Sequence, residues 1–498
     1  MKLFKGLCAL ALVGGLTYPA YAEVQNVKVG GDITTRGFLK SDFDLRNAQT
    51  GNVATGTSDD AAFWASFTHV GINADLTDNV SAEVGISNQR LWAFSPSTAS
   101  ELGDIDLFSS YLTLKEFLYS PLTITVGLQP LRFGKQFIVG DGLLADPSGG
   151  ISSGSTADGN VTKGTLATNG LGFQGAREYS ILNYYNAIRG TLDYNPWTID
   201  AVYSAISETV RTNNDQTLWG VNVGYDFSSY SAEAEGYWFY KDDQAYNLTL
   251  HPGPNQPTQG RNFEINQVHT LGLRGSVEPI TSFKLDGEVA FQTGEIVDTD
   301  DDGGPPGLFT RQTRNRRAWA ANVSGEYNFD VIYSPTLGLG WVFYSGEEPA
   351  VDENGAKPNG SFGAWDPMYR GSFFTAIQEF LGGYQAANLY GTNDPDDTAA
   401  STNRHQLRLF GSAKPLESLK LDLAWVRAYF DEKPIAGRDS HAGDEIDAKL
   451  TYDYTEDVQL SLLGAWFIPG QYYDGQTTAS SKSTDTASEI AASVSVMF

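Results

Sequence analysis

The sequence predicts an all-β fold: a transmembrane antiparallel β-barrel of about 18 strands, with short periplasmic turns and long extracellular loops. Three observations predict it. Segments of about ten residues alternate apolar and polar positions along the chain. The connections between them alternate short and long. The composition is rich in Gly (53), Phe (27), Tyr (25) and Trp (10), while mean hydropathy is only −0.28. A barrel touches lipid on alternate residues alone, so its average hydropathy stays low.

The first segment, "MKLFKGLCALALVGGLTYPAYA", reads as a secretory signal peptide over 1–22. Lys2 and Lys5 precede an apolar run from Leu7 to Leu16, and Ala20-Tyr21-Ala22 has the pattern of a cleavage site. That run is far shorter than the ~20 residues of a spanning helix. Cys8 is the only cysteine, so the remaining chain, read as one barrel domain over 23–498, has no disulfide, thiolate metal site or covalent haem motif. The formal charge of −27 argues against nucleic acid as a partner.

The alternating segments fall at 27–41, 62–76, 80–93, 105–116, 122–131, 179–193, 197–206, 216–227 and 231–241 in the first half. In the second half they fall at 264–277, 283–294, 316–329, 335–345, 404–414, 419–430, 444–454, 457–468 and 487–498. Each has about the length of a tilted bilayer-crossing strand. From the second strand onward, alternate junctions are short turns such as "LTDNV", "YNPW", "FSSYS" and "TEDV", rich in Pro, Asn, Asp and Ser. The other connections are longer: 42–61, 94–104, 132–178, 207–215, 242–263, 295–315, 346–403, 431–443 and 469–486. An even strand count leaves both termini on the periplasmic side. "SEIAASVSVMF" (Ser488–Phe498) then becomes the strand that closes on the first, with Ile490, Ala492, Val494, Val496 and Phe498 in one row.

Strand periodicity assigns the faces. In "EIDAKLTYDY", Ile446, Ala448, Leu450, Tyr452 and Tyr454 point to lipid, while Glu445, Asp447, Lys449, Thr451 and Asp453 point inward. A charge on the lipid face costs roughly 2–4 kcal/mol at mid-membrane, and the charges keep to the other row. Arg427 departs from this, sharing parity with Leu421, Leu423 and Trp425; a bulge or a place above the bilayer would account for it. A barrel of this size encloses an aqueous channel. Its predicted lining includes Arg36, Arg189, Arg274, Arg404 and Arg408 with the acids Glu233, Glu235, Glu288, Glu326 and Asp447. Acids gathered on neighbouring strands, with Arg404 and Arg408 a few strands away, would set a field across the lumen. Alternatively, these charges pair across adjacent strands and stiffen the wall.

"TVGLQPLRFGKQFIVGDGLLADP" (Thr125–Pro147), "WDPMYRG…NLYG" (Trp365–Gly391) and "GDEIDAKLTYDYTEDVQLSLLGAWFIPGQYY" (Gly443–Tyr473) resemble the alginate-export family of outer-membrane porins. The Gly-x-Glu-Ile-Asp strand opening and the Phe-x-Pro-Gly strand exit are the most specific pieces. The resemblance implies an arginine-rich lumen passing an anionic polysaccharide, whereas the predicted inward row here is at least as acidic as it is basic.

Three loops and three rival functions complete the reading. Asp298, Asp300 and Asp302 precede Gly303 at a spacing that can wrap Ca²⁺ in an extracellular loop, although Phe309 stands where an EF-hand has Glu. A solvated acidic loop is the alternative. Loop 132–178 is long enough to fold into the lumen, and loop 346–403 could do so or cover the mouth. An enzyme is not expected, because His69, His251, His269, His405 and His441 lie in no catalytic motif. An energy-coupled transporter would need a plug domain before the first strand. The third rival is a sheath around a partner such as an electron-transfer cytochrome. The favoured expectation is an outer-membrane channel passing small polar or saccharide solutes, without a cofactor. Its partners are membrane lipid and lipopolysaccharide, and a homo-oligomer or a periplasmic partner stays open.

Overall fold

The structure, a computed structural model, describes residues 26–42, 45, 61–92, 105–118, 121–141, 184–207, 216–246, 264–300, 310–347, 360–379, 402–433, 438–473 and 485–498. The expected signal segment lies outside the described residues. The first nine strands are β1 (Asn26–Ser41), β2 (Ala61–Thr77), β3 (Val80–Leu91), β4 (Asp106–Leu114), β5 (Leu122–Gln129), β6 (Tyr185–Tyr194), β7 (Trp197–Ser207), β8 (Gln216–Phe227) and β9 (Ala232–Tyr246). They are followed by β10 (Glu264–Ile280), β11 (Phe283–Asp300), β12 (Thr310–Asn328), β13 (Thr336–Tyr344), β14 (Arg404–Leu416), β15 (Leu419–Tyr429), β16 (His441–Asp453), β17 (Val458–Pro469) and β18 (Ala487–Met497). Every strand pairs antiparallel with its sequence neighbours, and β1 also pairs with β18, so the 18-stranded sheet closes on itself. Closure leaves no unpaired edge, which a sheet in hydrocarbon requires. At the seam, Phe498 N–H donates to the Gly31 carbonyl (3.0 Å) and Gly31 N–H to the Phe498 carbonyl (2.9 Å).

The predicted alternation is the observed in–out pattern. Val27, Val29, Ile33 and Leu39 of β1 are exposed to the lipid side, while Thr34, Phe38 and Lys40 are buried within. Outward aromatics gather at two levels. Trp64, Trp219, Trp319, Trp425 and Trp466 lie toward the long-loop end, and Trp197, Phe227, Tyr327, Phe329 and Tyr452 toward the short-turn end. Trp319 and Tyr327 are eight residues apart on β12. At ~3.4 Å per residue and a tilt near 40°, that is roughly 20 Å, close to the height of a membrane-facing apolar band. Arg427 does face outward. It lies beyond Trp425 and grips Asp444 with two hydrogen bonds of 3.0 Å, and Trp425 donates to the same carboxylate.

Some boundaries differ from expectation. β11 runs to Asp300 and β12 starts at Thr310, so the loop expected at 295–315 narrows to 301–309. In this extension Asp298 stands opposite Gln312 and Thr299 opposite Arg311 in register, and successive residues of the sequence are polar. The ladder continues there, but the alternation of hydrophobicity that marks a strand in sequence does not. Likewise β9 continues five residues past the expected end, to Tyr246. β6 starts at Tyr185 rather than 179, and 179–183 lie outside the described residues.

Candidate functional site

Inside the barrel, the predicted charges divide into groups. Arg274 of β10 is a hub. It bonds Glu233 (2.6 Å) and Glu235 of β9 on one side and faces Asp286 of β11 (3.5 Å) on the other. Glu288 stands opposite Arg274 in register, but its carboxylate accepts from the Tyr237 hydroxyl at 2.7 Å. Tyr237 reaches it by lying over Gly272, where a Cβ would come within 2.2 Å of the ring. Arg189 pairs with Asp200 across β6–β7 (2.9 Å). For these residues the pairing of charges across adjacent strands holds.

The other predicted residues are apart from this hub. Arg404 lies 3.6 Å above the Phe430 ring, and Arg408 lies between Phe374 (4.4 Å) and Phe410 (5.1 Å). Such stacking holds each guanidinium against a ring face. Arg36 is 5.9 Å from the ring of Phe38, two residues along β1. Glu326 stands opposite Lys284 near the short-turn end, and Asp447 shares the inward row of β16 with Glu445.

Two connecting segments fill the long-loop half of the lumen. Residues 131–141 follow β5, and residues 360–379 belong to the connection between β13 and β14. Both fold inward, packing on inward residues of the wall, and of the second loop this holds for the described residues 360–379. They pair with each other: Gly140 N–H donates to the Tyr369 carbonyl (2.8 Å), Tyr369 N–H to Ile138 (3.0 Å) and Gly371 N–H to Gln136 (2.8 Å). Leu131, Phe133, Phe137, Val139, Trp365, Met368 and Tyr369 pack with inward Leu218, Phe239, Val268, Ala318 and Tyr344 into one buried apolar cluster. The inward rows of β6–β13 suit this, because on the loop side of the Arg274 cluster they carry an apolar stretch that includes Leu218, Phe239, Val268, Ala318 and Tyr344.

Residues 360–379 form a strap tied to several strands. Phe362 exchanges main-chain hydrogen bonds with β12, donating to Asn315 (2.8 Å) and accepting from Arg317 (2.9 Å). Asp366 accepts from Lys241 of β9 (2.5 Å) and Asn266 of β10 (3.0 Å), while both its main-chain groups bond the amide of Gln292 of β11 (2.8 Å each). Burial opposes ionisation of Asp366, but Lys241 and Arg316 outweigh it and hold the carboxyl at about 2. Farther on, Glu445 of β16 accepts N–H groups from Ala376 (2.8 Å), Ile377 (2.6 Å) and Gln378 (2.9 Å). Ile377 inserts among Phe430, Ala465, Phe467 and Ala487.

Sequence reasoning missed Lys241, Asn266, Gln292, Arg316 and Asp366 as a set. Parity places the first four on the inward rows, but nothing in the sequence says that the Trp-Asp-Pro stretch of a distant loop descends onto them. The short-turn half of the lumen contrasts with the filled half. There Asp193, Asp226, Lys284 and Lys449 are exposed, the Glu233 side chain is half exposed and Glu326 is part-buried, forming a vestibule with charges of both signs.

Among the described residues, no group of three or more His, Cys, Asp or Glu could hold a metal ion. Asp298 and Asp300 belong to the extended end of β11, opposite Gln312 and Thr310, and Asp302 lies outside the described residues.

No protein of curated function matches the sequence. Among solved structures, OccAB4 of Acinetobacter baumannii is 10% identical, with 96% of this chain and 99% of that one covered at a TM-score of 0.50. A BenF-like porin from Pseudomonas fluorescens Pf-5 is also 10% identical, with 95% and 99% covered at the same TM-score. These likenesses show the outer-membrane barrel fold. The alginate-export family model matches residues 173–486, more than half of the chain, and the chain belongs to that family.

Proposed function

We propose that this outer-membrane barrel is a passive channel for small polar or oligosaccharide solutes, with its own loops forming the constriction. One observation carries the reading: a sealed cylinder holds an open, charged vestibule on one side of a plug built from residues 131–141 and 360–379. Charges that face water on the inward row favour polar cargo, since they attract ions and hydrogen-bond hydroxyl groups. Membership of the alginate-export family supports saccharide-type cargo. The vestibule of mixed charge below Arg404 and Arg408 supports discrimination by charge rather than uniform anion attraction. A partner protein threaded through the lumen would need the space that the two inward segments occupy, so no observation favours the sheath reading. Calcium at Asp298, Asp300 and Asp302 stays a separate proposal, tested by titrating Ca²⁺ against the Asp298→Asn/Asp300→Asn protein.

The test is conductance and reversal potential of the purified protein in a planar bilayer under a salt gradient, with and without an oligouronate. Stable conductance that added oligouronate reduces is the expected result. Absence of any conductance under all conditions overturns the reading.

A further inference from the structure

The two inward segments lean on one part of the wall. Their apolar clusters take in side chains of β6–β13 and β15–β18, and no residue of β1–β5 belongs to these clusters. The inward faces of β1–β4 carry groups of another kind. Asp32 of β1 stands in register with His69 of β2 and lies 3.0 Å from its Nδ1. Glu83 of β3 accepts from the hydroxyls of Tyr111 (2.6 Å) and Ser109 (3.2 Å) on β4 and from the Asn73 amide on β2 (3.5 Å). All three donors are neutral, so they orient the carboxylate and leave its charge. The Phe108 ring lies 5.1 Å from that of His69 and 5.1 Å from that of Tyr184. Asn73 is exposed, and Asp32, Glu83, Phe108, Tyr111 and Tyr184 are partly exposed.

Charge here is unbalanced. Arg132, just after β5, has a side chain 60% exposed and is paired with the buried carboxylate of Asp141 (2.6 Å). Tyr184 lies within electrostatic reach of three carboxylates, Glu83, Asp141 and Asp32, against one cation, Arg132. The potential beside its ring is therefore negative. Two other cations share the inward row of β1. Lys28 and Arg36 are four residues to either side of Asp32, roughly 13 Å along the strand, and Lys28 is two strand spacings, roughly 10 Å, from Glu83. Those separations are about a Debye length or more at physiological salt, so their effect on the carboxylates is screened. Carboxylates beside aromatic rings attract an ammonium group twice, by charge and through the ring quadrupole. The same rings, with an exposed amide, suit the apolar face and the hydroxyls of a sugar.

We propose that the solute path runs along β1–β4, where Asp32 and Glu83, with the rings of Phe108, Tyr111 and Tyr184, form a station for an amine-bearing sugar. The inference rests on the channel reading and adds to it the wall that is used and the charge of the cargo. An oligouronate that plugs the channel from the Arg408 side need not pass this station.

The experiment uses the full-length protein in proteoliposomes held at zero potential, at mildly acidic pH where the amine carries its proton. Glucosamine, glucose and glucuronate are close in size and differ in charge. The natural protein should admit glucosamine about fivefold faster than glucuronate, the difference that one uncancelled unit charge about 8 Å away in water makes between solutes of opposite sign. Glu83→Gln with Asp32→Asn keeps hydrogen-bonding groups in both places. It should bring the ratio close to one and leave glucose entry unchanged. Glu326→Gln, on β12 at the far side of the closed sheet, should leave the ratio as it is. Equal entry, or faster glucuronate, in the natural protein overturns the station and leaves the channel, since glucose still passes. A ratio that survives the double substitution, or that falls with Glu326→Gln, overturns the placement on β1–β4. Where the double variant does not assemble, Glu83→Gln alone decides, and a ratio that it does not at least halve overturns the station. Entry of none of the three sugars overturns both the station and the channel.

Discussion

Lys241 and Asp366 are 125 residues apart in sequence and 2.5 Å apart inside the barrel. Neither is accessible to water to any useful extent. Their contact turns a connecting loop into part of the lumenal wall, and it leads to the first prediction. Asp366→Ala should destabilise the protein by about 3–5 kcal/mol, since it leaves Lys241 buried without a counter-charge. Lys241→Met in the same chain should recover part of the loss. Denaturant unfolding in detergent measures both, and a double variant no better than the single one would refute the pairing as the source.

The same carboxyl sets an acid limit. Its folded value of about 2 lies below the ~3.9 of an unfolded Asp. A depressed carboxyl contributes stability that is complete above the unfolded value and is lost as pH falls through the folded one. The strap should therefore stay anchored at neutral and mildly acidic pH, and loosen only between about pH 4 and 2. Pepsin cleavage near Phe373 and Phe374 reports this. It should accelerate across that window in the natural protein and show no such step in Asp366→Asn.

Gly272 predicts a packing defect. A methyl there would meet the Tyr237 ring at 2.2 Å and push its hydroxyl from Glu288. Gly272→Ala should cost about 1–3 kcal/mol. In a Tyr237→Ala background the same change should cost much less, because the ring that it strikes is gone. Equal costs in both backgrounds would place the strain elsewhere.

Arg408 and Arg274 should behave oppositely. Arg408 rests on aromatic faces with Glu379 as a nearby carboxylate, so Arg408→Gln removes a positive charge from the lumen wall. A unit charge about 8 Å from a passing ion in water is worth ~0.5 kcal/mol, roughly a twofold change in permeability ratio toward cations. Arg274→Gln instead leaves Glu233, Glu235 and Asp286 facing one another, and its main effect should be on stability. Reversal potentials and unfolding midpoints of the two variants separate these outcomes.

The seam supplies the fourth structural test. A side chain at Gly31 would place its Cβ 2.2 Å from the His69 carbonyl oxygen and 3.0 Å from the Phe498 ring. Gly31→Val should therefore strain the pairing of β1 with β2 and crowd Phe498 at the seam. The fraction migrating as compact barrel before heating in detergent gels should fall severalfold, while Ser41→Val at the far end of β1 should leave it unchanged.

The barrel was legible from the sequence because its cause is local. Lipid on one side and water on the other impose a period of two on every strand, and that period shows within ten residues. Parity even placed Glu445, Asp447, Arg274 and Arg408 inside. It failed at the tips of β11 and β12, where successive residues of the sequence are polar and no alternation marks the strand. What occupies the lumen was decided by tertiary structure alone. Parity names the side on which Arg274 or Lys241 lies, but their partners depend on strand register and on a loop that returns from more than a hundred residues away. The descent of Asp366 onto Lys241 and of residues 376–378 onto Glu445 leaves no periodic mark, because each is a single contact between distant groups whose energy exists only after the cylinder has closed.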